Sequence, residues 1–295
     1  MMDGVLTLIA ERLDDGAVAL ARDALAARAG CVGDADWLAP GIACDLPFGG
    51  LEPGPATAAI RACLAGRPID IVAQKSAGRR KRLLIADMES TMIENEMLDE
   101  LAAEVGRAAE IADITARAMA GTLDFEGAII ERVTMLKGLE EAALERALDT
   151  ICITAGAATL VATMRAHGAY CALVSGGFEF FTRWVRARLN FDMDQANRLG
   201  IQAGKLTGRL VGPILGREAK RTALARLTAA QGITAAAAIA VGDGANDLDM
   251  LSAAGMGVAF RAKPVVADRA AARIDHGDLT ALLYLQGYRQ ADFRE

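Results

Sequence analysis

Three short clusters in this 295-residue chain carry the residue types that handle a phosphoryl group. Asp87-Met88-Glu89-Ser90-Thr91 sets two carboxylates and two hydroxyls within one turn of chain. Ser175-Gly176-Gly177 offers a hydroxyl and backbone N–H groups that no side chain shields, and Gly242-Asp243-Gly244-Ala245-Asn246-Asp247 adds two carboxylates and an amide. Between the second and third clusters stands Lys220, in Gly216-Arg217-Glu218-Ala219-Lys220-Arg221, at the predicted start of a helix. Oxygen ligands for a hard cation, a nucleophile and fixed positive charge for equatorial oxygens are the inventory of magnesium-assisted phosphoryl transfer.

Each cluster ends an apolar run. Leu83-Leu84-Ile85-Ala86 reads as a short strand buried on both faces and stops at Asp87; Tyr170–Val174 leads into Ser175, and Ala237–Val241 into Gly242. Strand, loop and helix alternate from residue 168 onward, which predicts an α/β fold with a doubly wound parallel sheet, its site at the carboxyl ends of the strands. The three clusters then converge at one edge. Residues 92–150, rich in Ala, Glu, Leu and Met and free of proline, predict an all-helical insertion, a cap over about 95–155. Residues 1–80 read as a small α/β unit without catalytic groups: an apolar run Val5–Ile9, a helix Gly16–Ala27, a Gly/Pro-rich passage Pro40–Pro55, a helix near Ala56–Ala65 and a strand near Ile69–Ala73. Four consecutive positive charges, Arg79-Arg80-Lys81-Arg82, read as a solvated linker between separately cored units, 1–80 and 83–295. Removal of the first unit is then expected to leave the chemistry intact.

Together these segments resemble the haloacid dehalogenase-like phosphatases, and within that superfamily the phosphoserine phosphatases. The resemblance rests on Asp87–Asp99 (DMESTMIENEMLD), Leu123-Asp124-Phe125-Glu126 with Arg132, Val174–Phe178 (VSGGF), Leu206-Thr207-Gly208, Gly242–Met250 (GDGANDLDM) and Gly257–Pro264 (GVAFRAKP), and covers about residues 83–285. It implies hydrolysis of O-phospho-L-serine to L-serine, the last step of serine biosynthesis, with Mg2+ as cofactor. In it Asp87 attacks phosphorus and becomes an aspartyl phosphate, splitting one hard displacement into two easier ones. Glu89 protonates the leaving oxygen and then activates water. The family carries Asp at that position, so the extra methylene of Glu89 must be absorbed by a different rotamer or a backbone shift. Ser175 and the backbone at Gly176 and Gly177 hold phosphate oxygens, and Lys220 neutralises phosphate and nucleophile. Asp87, Asp243, Asp247 and the main-chain carbonyl of Glu89 surround the metal, with Asn246 orienting the group. In the cap, Glu96 pairs with the substrate ammonium and Arg132 with its carboxylate, while Met119 and Phe125 shield its side chain.

Composition narrows the alternatives. Asp plus Glu number 38 against 32 Lys plus Arg, a net charge of -6 that disfavours a nucleic-acid binder. The longest uncharged run, Leu227–Gly242, is 16 residues, short of the ~18–20 that cross a bilayer, so no membrane partner is expected. Asp3 and Glu11 stand where a secretory signal needs a basic start and an apolar stretch, which points to the cytoplasm. Five scattered cysteines without C-x-x-C spacing read as buried free thiols. Asp192-Met193-Asp194 repeats the D-x-D spacing without an apolar strand before it and reads as a loop; His167 and His276 have no metal-ligand partners nearby in sequence. Two other readings stay open: a phosphatase or phosphotransferase of the same fold acting on another small phosphomonoester such as phosphohomoserine, and a regulatory protein silenced at Glu89. Residues 1–80 are compatible with an ACT-like ligand-binding module, though they carry no signature for one, and with association into a homodimer.

Overall fold

The structure, a computed structural model, describes residues 2–119 and 123–295, with the side chains of residues 118, 119 and 125 also outside the description. Met119 and Phe125, assigned to shield the substrate, therefore lie outside the described side chains.

The chain opens with β1 (Gly4–Ile9), β2 (Cys31–Val32), β3 (Asp36–Ala39), β4 (Ala43–Gly49) and β5 (Asp70–Lys75), paired in the order β2-β4-β1-β5 with β3 also on β4. Two helices, Asp15–Ala26 and Pro53–Cys63, complete a split βαβ unit of the ACT-like kind. Period-2 alternation divides β1 between two surroundings. Leu6 and Leu8 pack with Val18, Leu25 and Ile60 of the helices, whereas Ile9 joins the core of the rest of the chain. The Gly/Pro-rich passage Pro40–Pro55 contains β4, a partner of β1, and is not simply a loop. Pro47 enters this strand as an acceptor, its carbonyl receiving the Gly33 N–H at 2.8 Å, so the ring's missing donor does not break the pairing.

The second sheet holds β6 (Leu83–Ala86), β7 (Tyr170–Phe178), β8 (Met193–Gln202), β9 (Lys205–Val211), β10 (Ala238–Gly242), β11 (Met256–Phe260) and β12 (Ala272–Ile274), in the order β12-β11-β10-β6-β7-β8-β9. All pairings except β8 with β9 are parallel. β6 is buried throughout, as a continuous apolar run sandwiched by helices requires. From β6 the chain goes to β7 on one side and later to β10 on the other. The carboxyl end of β6 is therefore the switch point at which open α/β sheets bind ligands.

Between β6 and β7 lies the helical insertion, with helices Met97–Glu104, Ala108–Met119, Phe125–Met135 and Ala142–Leu148. The β8–β9 hairpin supports it. Leu206 accepts the Gly138 N–H at 2.9 Å and donates to Leu139 at 2.8 Å, which gives the Leu206-Thr207-Gly208 segment a cap-bearing place.

Within residues 79–82, Arg79 and Lys81 are not solvated. Arg79 reaches Asp45 (2.5 Å) and the carbonyls of Tyr284 (2.9 Å) and Leu285 (3.0 Å), and Lys81 Nζ donates to the Gly78 and Ala236 carbonyls. Asp70 accepts backbone N–H bonds from Asp275, His276 and Gly277, and Gln74 donates to Leu285 at 2.6 Å. Ile9, Leu38, Ala43 and Val72 share one apolar cluster with Leu282 and Tyr284, so the first sheet, which keeps a core of its own around Leu6, Leu8 and Ile60, also packs one face into the larger core. Two of the four charges, Arg79 and Lys81, meet carbonyls across the joint, whereas Arg80 and Arg82 stay exposed.

Cys44 and Cys171 are buried, but Cys63, at a helix end, and Cys152, outside regular structure, are exposed. Asp192-Met193-Asp194 is not a loop, since β8 starts at Met193; Asp192 accepts from Arg165 and the Cys171 N–H, Asp194 from Thr182 and Arg186. No helix among the described residues is long and apolar enough to cross a membrane.

Candidate active site

Parallel pairing aligns Ala86 of β6 with Leu173 of β7 and Val241 of β10, so the clusters that follow these strands emerge side by side. Asp87 accepts the Met88 N–H on Oδ1 at 2.7 Å and meets Lys220 Nζ with Oδ2 at 2.5 Å. Lys220 rises from the first turns of the helix Arg217–Ala230, is 2% exposed, and also binds Asp247 Oδ1 at 2.6 Å. The other Asp247 oxygen takes the Gly244 N–H at 3.0 Å. Gly242 is required by space alone, since a Cβ there would lie 2.3 Å from Asp247 Cγ.

Ligand oxygens of Asp87, Asp243 and Asp247 lie within 4.8 Å of one another. Burial, then the neighbouring carboxylates, pushes Asp243 up to about 7 and Asp247 up to about 6. For Lys220 burial pulls downward, but Asp247 and Asp87 outweigh it and hold the ammonium well above its ordinary range. Three carboxylates against one ammonium leave an excess of negative charge on hard oxygen donors, a set that fits Mg2+, which takes oxygens from one or two carboxylates and keeps several waters. The carboxylate of Glu89 is not part of this group.

Glu89 absorbs its extra methylene by reaching outward. Its Oε1 accepts the Met97 N–H at 2.9 Å, at the start of the first cap helix. Burial first, then the Glu96 and Asp87 carboxylates, pushes the Glu89 carboxyl up to about 8 against the pull of the Met97 N–H and Lys220. Ser90, in the left-handed region at φ 52°, donates from Oγ to Glu96 Oε1 at 2.6 Å. Ser175 is buried, and its Oγ accepts the Gly177 N–H at 2.9 Å, which leaves the hydroxyl proton to donate elsewhere. Arg132 is half-buried; burial lowers its pKa, while Glu89, Asp99 and Glu96 act on it as the facing carboxylates. Its Nε bonds the Ala128 carbonyl at 3.3 Å, and its two terminal nitrogens have no hydrogen bond among the described residues.

The carboxylates, Lys220 and Ser175 thus gather at the carboxyl ends of the strands, with Glu96 tied in through Ser90, and Arg132 feels the charge of Glu89, Asp99 and Glu96. Asn246 lies against Gly244 and is not among the hydrogen-bond partners of Lys220; Asp247 fills that place. Two contributors went unread in the sequence. The Met97 N–H could have been found from the polar-to-apolar step Asn95-Glu96-Met97-Leu98, a helix-start signal. Asn197, buried in β8, binds the Gly176 carbonyl at 2.7 Å and receives the Leu215 N–H at 2.8 Å, and one amide among the several polar residues of this strand gives no signal for that.

A family model described as haloacid dehalogenase-like hydrolase matches residues 84–252, and the chain belongs to that family. It is 40% identical over 250 residues to a phosphoserine phosphatase of Streptomyces coelicolor, covering 84% of this chain and 61% of the relative. Against a phosphoserine phosphatase of Methanocaldococcus jannaschii it is 38% identical over 205 residues, 70% of this chain and 97% of that one. A solved hydrolase of the same superfamily from Salmonella enterica serovar Typhi superposes with a TM-score of 0.86 at 30% identity, over 97% of this chain and 98% of the other. The chain spans about three fifths of the length of the first curated relatives it matches.

Proposed function

We propose that the protein is a magnesium-dependent phosphoserine phosphatase that works through an aspartyl phosphate on Asp87. The observation that carries the reading is the Asp87–Lys220–Asp247 ion-paired chain at the switch point, beside Asp243 and Glu89 and beneath a cap carrying Glu96 and Arg132. Mg2+ would be held by Asp87, Asp243, Asp247 and the Glu89 carbonyl, and supplies charge neutralisation at the transferring phosphoryl group.

The chain's own residues do the rest. Arg132 grips the substrate carboxylate and Glu96 its ammonium, which fixes the phosphate against Ser175 and Lys220. An Asp87 oxygen attacks phosphorus while the protonated Glu89 gives its proton to the departing serine oxygen. Glu89, now ionised, takes a proton from water as that water attacks the aspartyl phosphate, freeing Asp87 and inorganic phosphate. Residues 1–80 form an ACT-like module docked on the phosphatase unit 83–295, a placement suited to association as a homodimer or to sensing; the cytoplasm is the setting of this reading.

A phosphate-release panel tests it. O-phospho-L-serine should exceed phosphohomoserine and p-nitrophenyl phosphate in kcat/KM, with activity lost on chelation, restored by magnesium, and absent in Asp87→Asn. Preference for phosphohomoserine would move the substrate to the runner-up, and no release from any ester would favour a silenced regulator.

A further inference from the structure

Gly177 stands in a strand, and its φ lies outside the left-handed range, so the backbone there would accept any residue. What glycine provides is room. A Cβ built at Gly177 would lie 2.6 Å from Glu89 Oε2, 3.0 Å from its carboxyl carbon and 3.2 Å from Oε1, and these three carboxyl atoms are the nearest it would meet. The far side of the same carboxyl is tied to the Met97 N–H at 2.9 Å. Glu89 is therefore pinched between the bare Cα of a core strand and the first turn of a cap helix.

We infer that Gly177 is a positioning residue for Glu89: its missing side chain is the clearance that lets a glutamate, one methylene longer than an aspartate, serve as the acid–base group here. The inference rests on the proposed role of Glu89. Since the clash falls on the mobile end of a side chain, a methyl group at 177 is relieved by swinging the carboxyl aside. That leaves the fold intact and takes the proton donor off the leaving oxygen. A displacement on the scale of 1 Å costs roughly 100-fold in rate. An aspartate at 89 withdraws from the added methyl, so the defect should depend on which acid stands there.

The test is a double-mutant cycle on kcat and KM for O-phospho-L-serine with magnesium, using Gly177→Ala, Glu89→Asp and the pair, with melting temperatures alongside. Gly177→Ala should lower kcat about 100-fold with melting temperature little changed, and against the rate of Glu89→Asp, whatever that rate is, adding Gly177→Ala should cost almost nothing further. An equal loss from Gly177→Ala in both backgrounds would overturn the inference, because the methyl would then obstruct phosphate and not Glu89. A drop in melting temperature matching the loss of activity would also overturn it. Glu89→Gln separates the two levels: full activity there removes the acid–base role itself, whereas an inactive Glu89→Gln with an unrescued pair sinks only the clearance.

Discussion

At the residue scale the site is governed by Lys220, a cation enclosed by acids. Without the ammonium, Asp87 and Asp247 would face each other across a buried gap, and the incoming phosphate would add further negative charge. Lys220→Ala should therefore cost ~2.7–4 kcal/mol of transition-state stabilisation, 10²–10³ in kcat, as measured for loss of one oxyanion stabiliser. Steady-state kinetics showing less than a tenfold loss would mean that the ammonium screens nothing in the reaction. The positions of Asp87, Ser175 and Asp243 were legible because each follows an apolar run, and that of Lys220 because it opens a helix. Asn197 was hidden because its two bonds, to Gly176 and Leu215, come from segments distant in sequence.

At the element scale, the proposed function gives the choice of ester to the insertion and its hairpin support. The helix Phe125–Met135 carries Arg132, with its terminal nitrogens unused by described residues and three carboxylates facing it. Arg132→Ala should lower kcat/KM for phosphoserine roughly 10- to 100-fold, the worth of hydrogen bonds to a charged partner, while hardly changing p-nitrophenyl phosphate hydrolysis. Equal losses on both esters would indicate a collapsed cap. The helical insertion and the parallel strands were readable because their apolar runs and helix formers extend over many residues. β4 was not, because its Pro47 and flanking glycines mimic a loop, and pairing with β1, β2 and β3 reveals a strand.

At the scale of the whole molecule, the small sheet is stitched to the phosphatase unit by buried polar bonds. Arg79 is the centre of the joint, 15% exposed beside an Asp45 that is 5% exposed, and it also satisfies two carbonyls at the end of the chain. Arg79→Ala leaves the buried Asp45 carboxylate with only the Thr7 hydroxyl, at 2.7 Å, and takes a donor from the Tyr284 and Leu285 carbonyls, so it should destabilise the protein by up to about 3–5 kcal/mol, read as a shift in the denaturant midpoint. A shift below about 0.5 kcal/mol, the range of ordinary surface substitutions, would show that Arg79 does not hold the joint. Local sequence could not reveal this joint, since Arg79 finds Tyr284 and Leu285 only after both sheets have formed.

Phosphorylation of Asp87 itself tests the central claim most directly. The protein is mixed with O-phospho-L-serine and magnesium, quenched in acid during turnover, digested, and the peptide containing Asp87 weighed. The account predicts one phosphoryl group on Asp87, released by hydroxylamine as an acyl phosphate is, and absent from Asp87→Asn. Steady release of phosphate with Asp87 unmodified at every quench time would contradict it, because water would then be attacking the substrate directly.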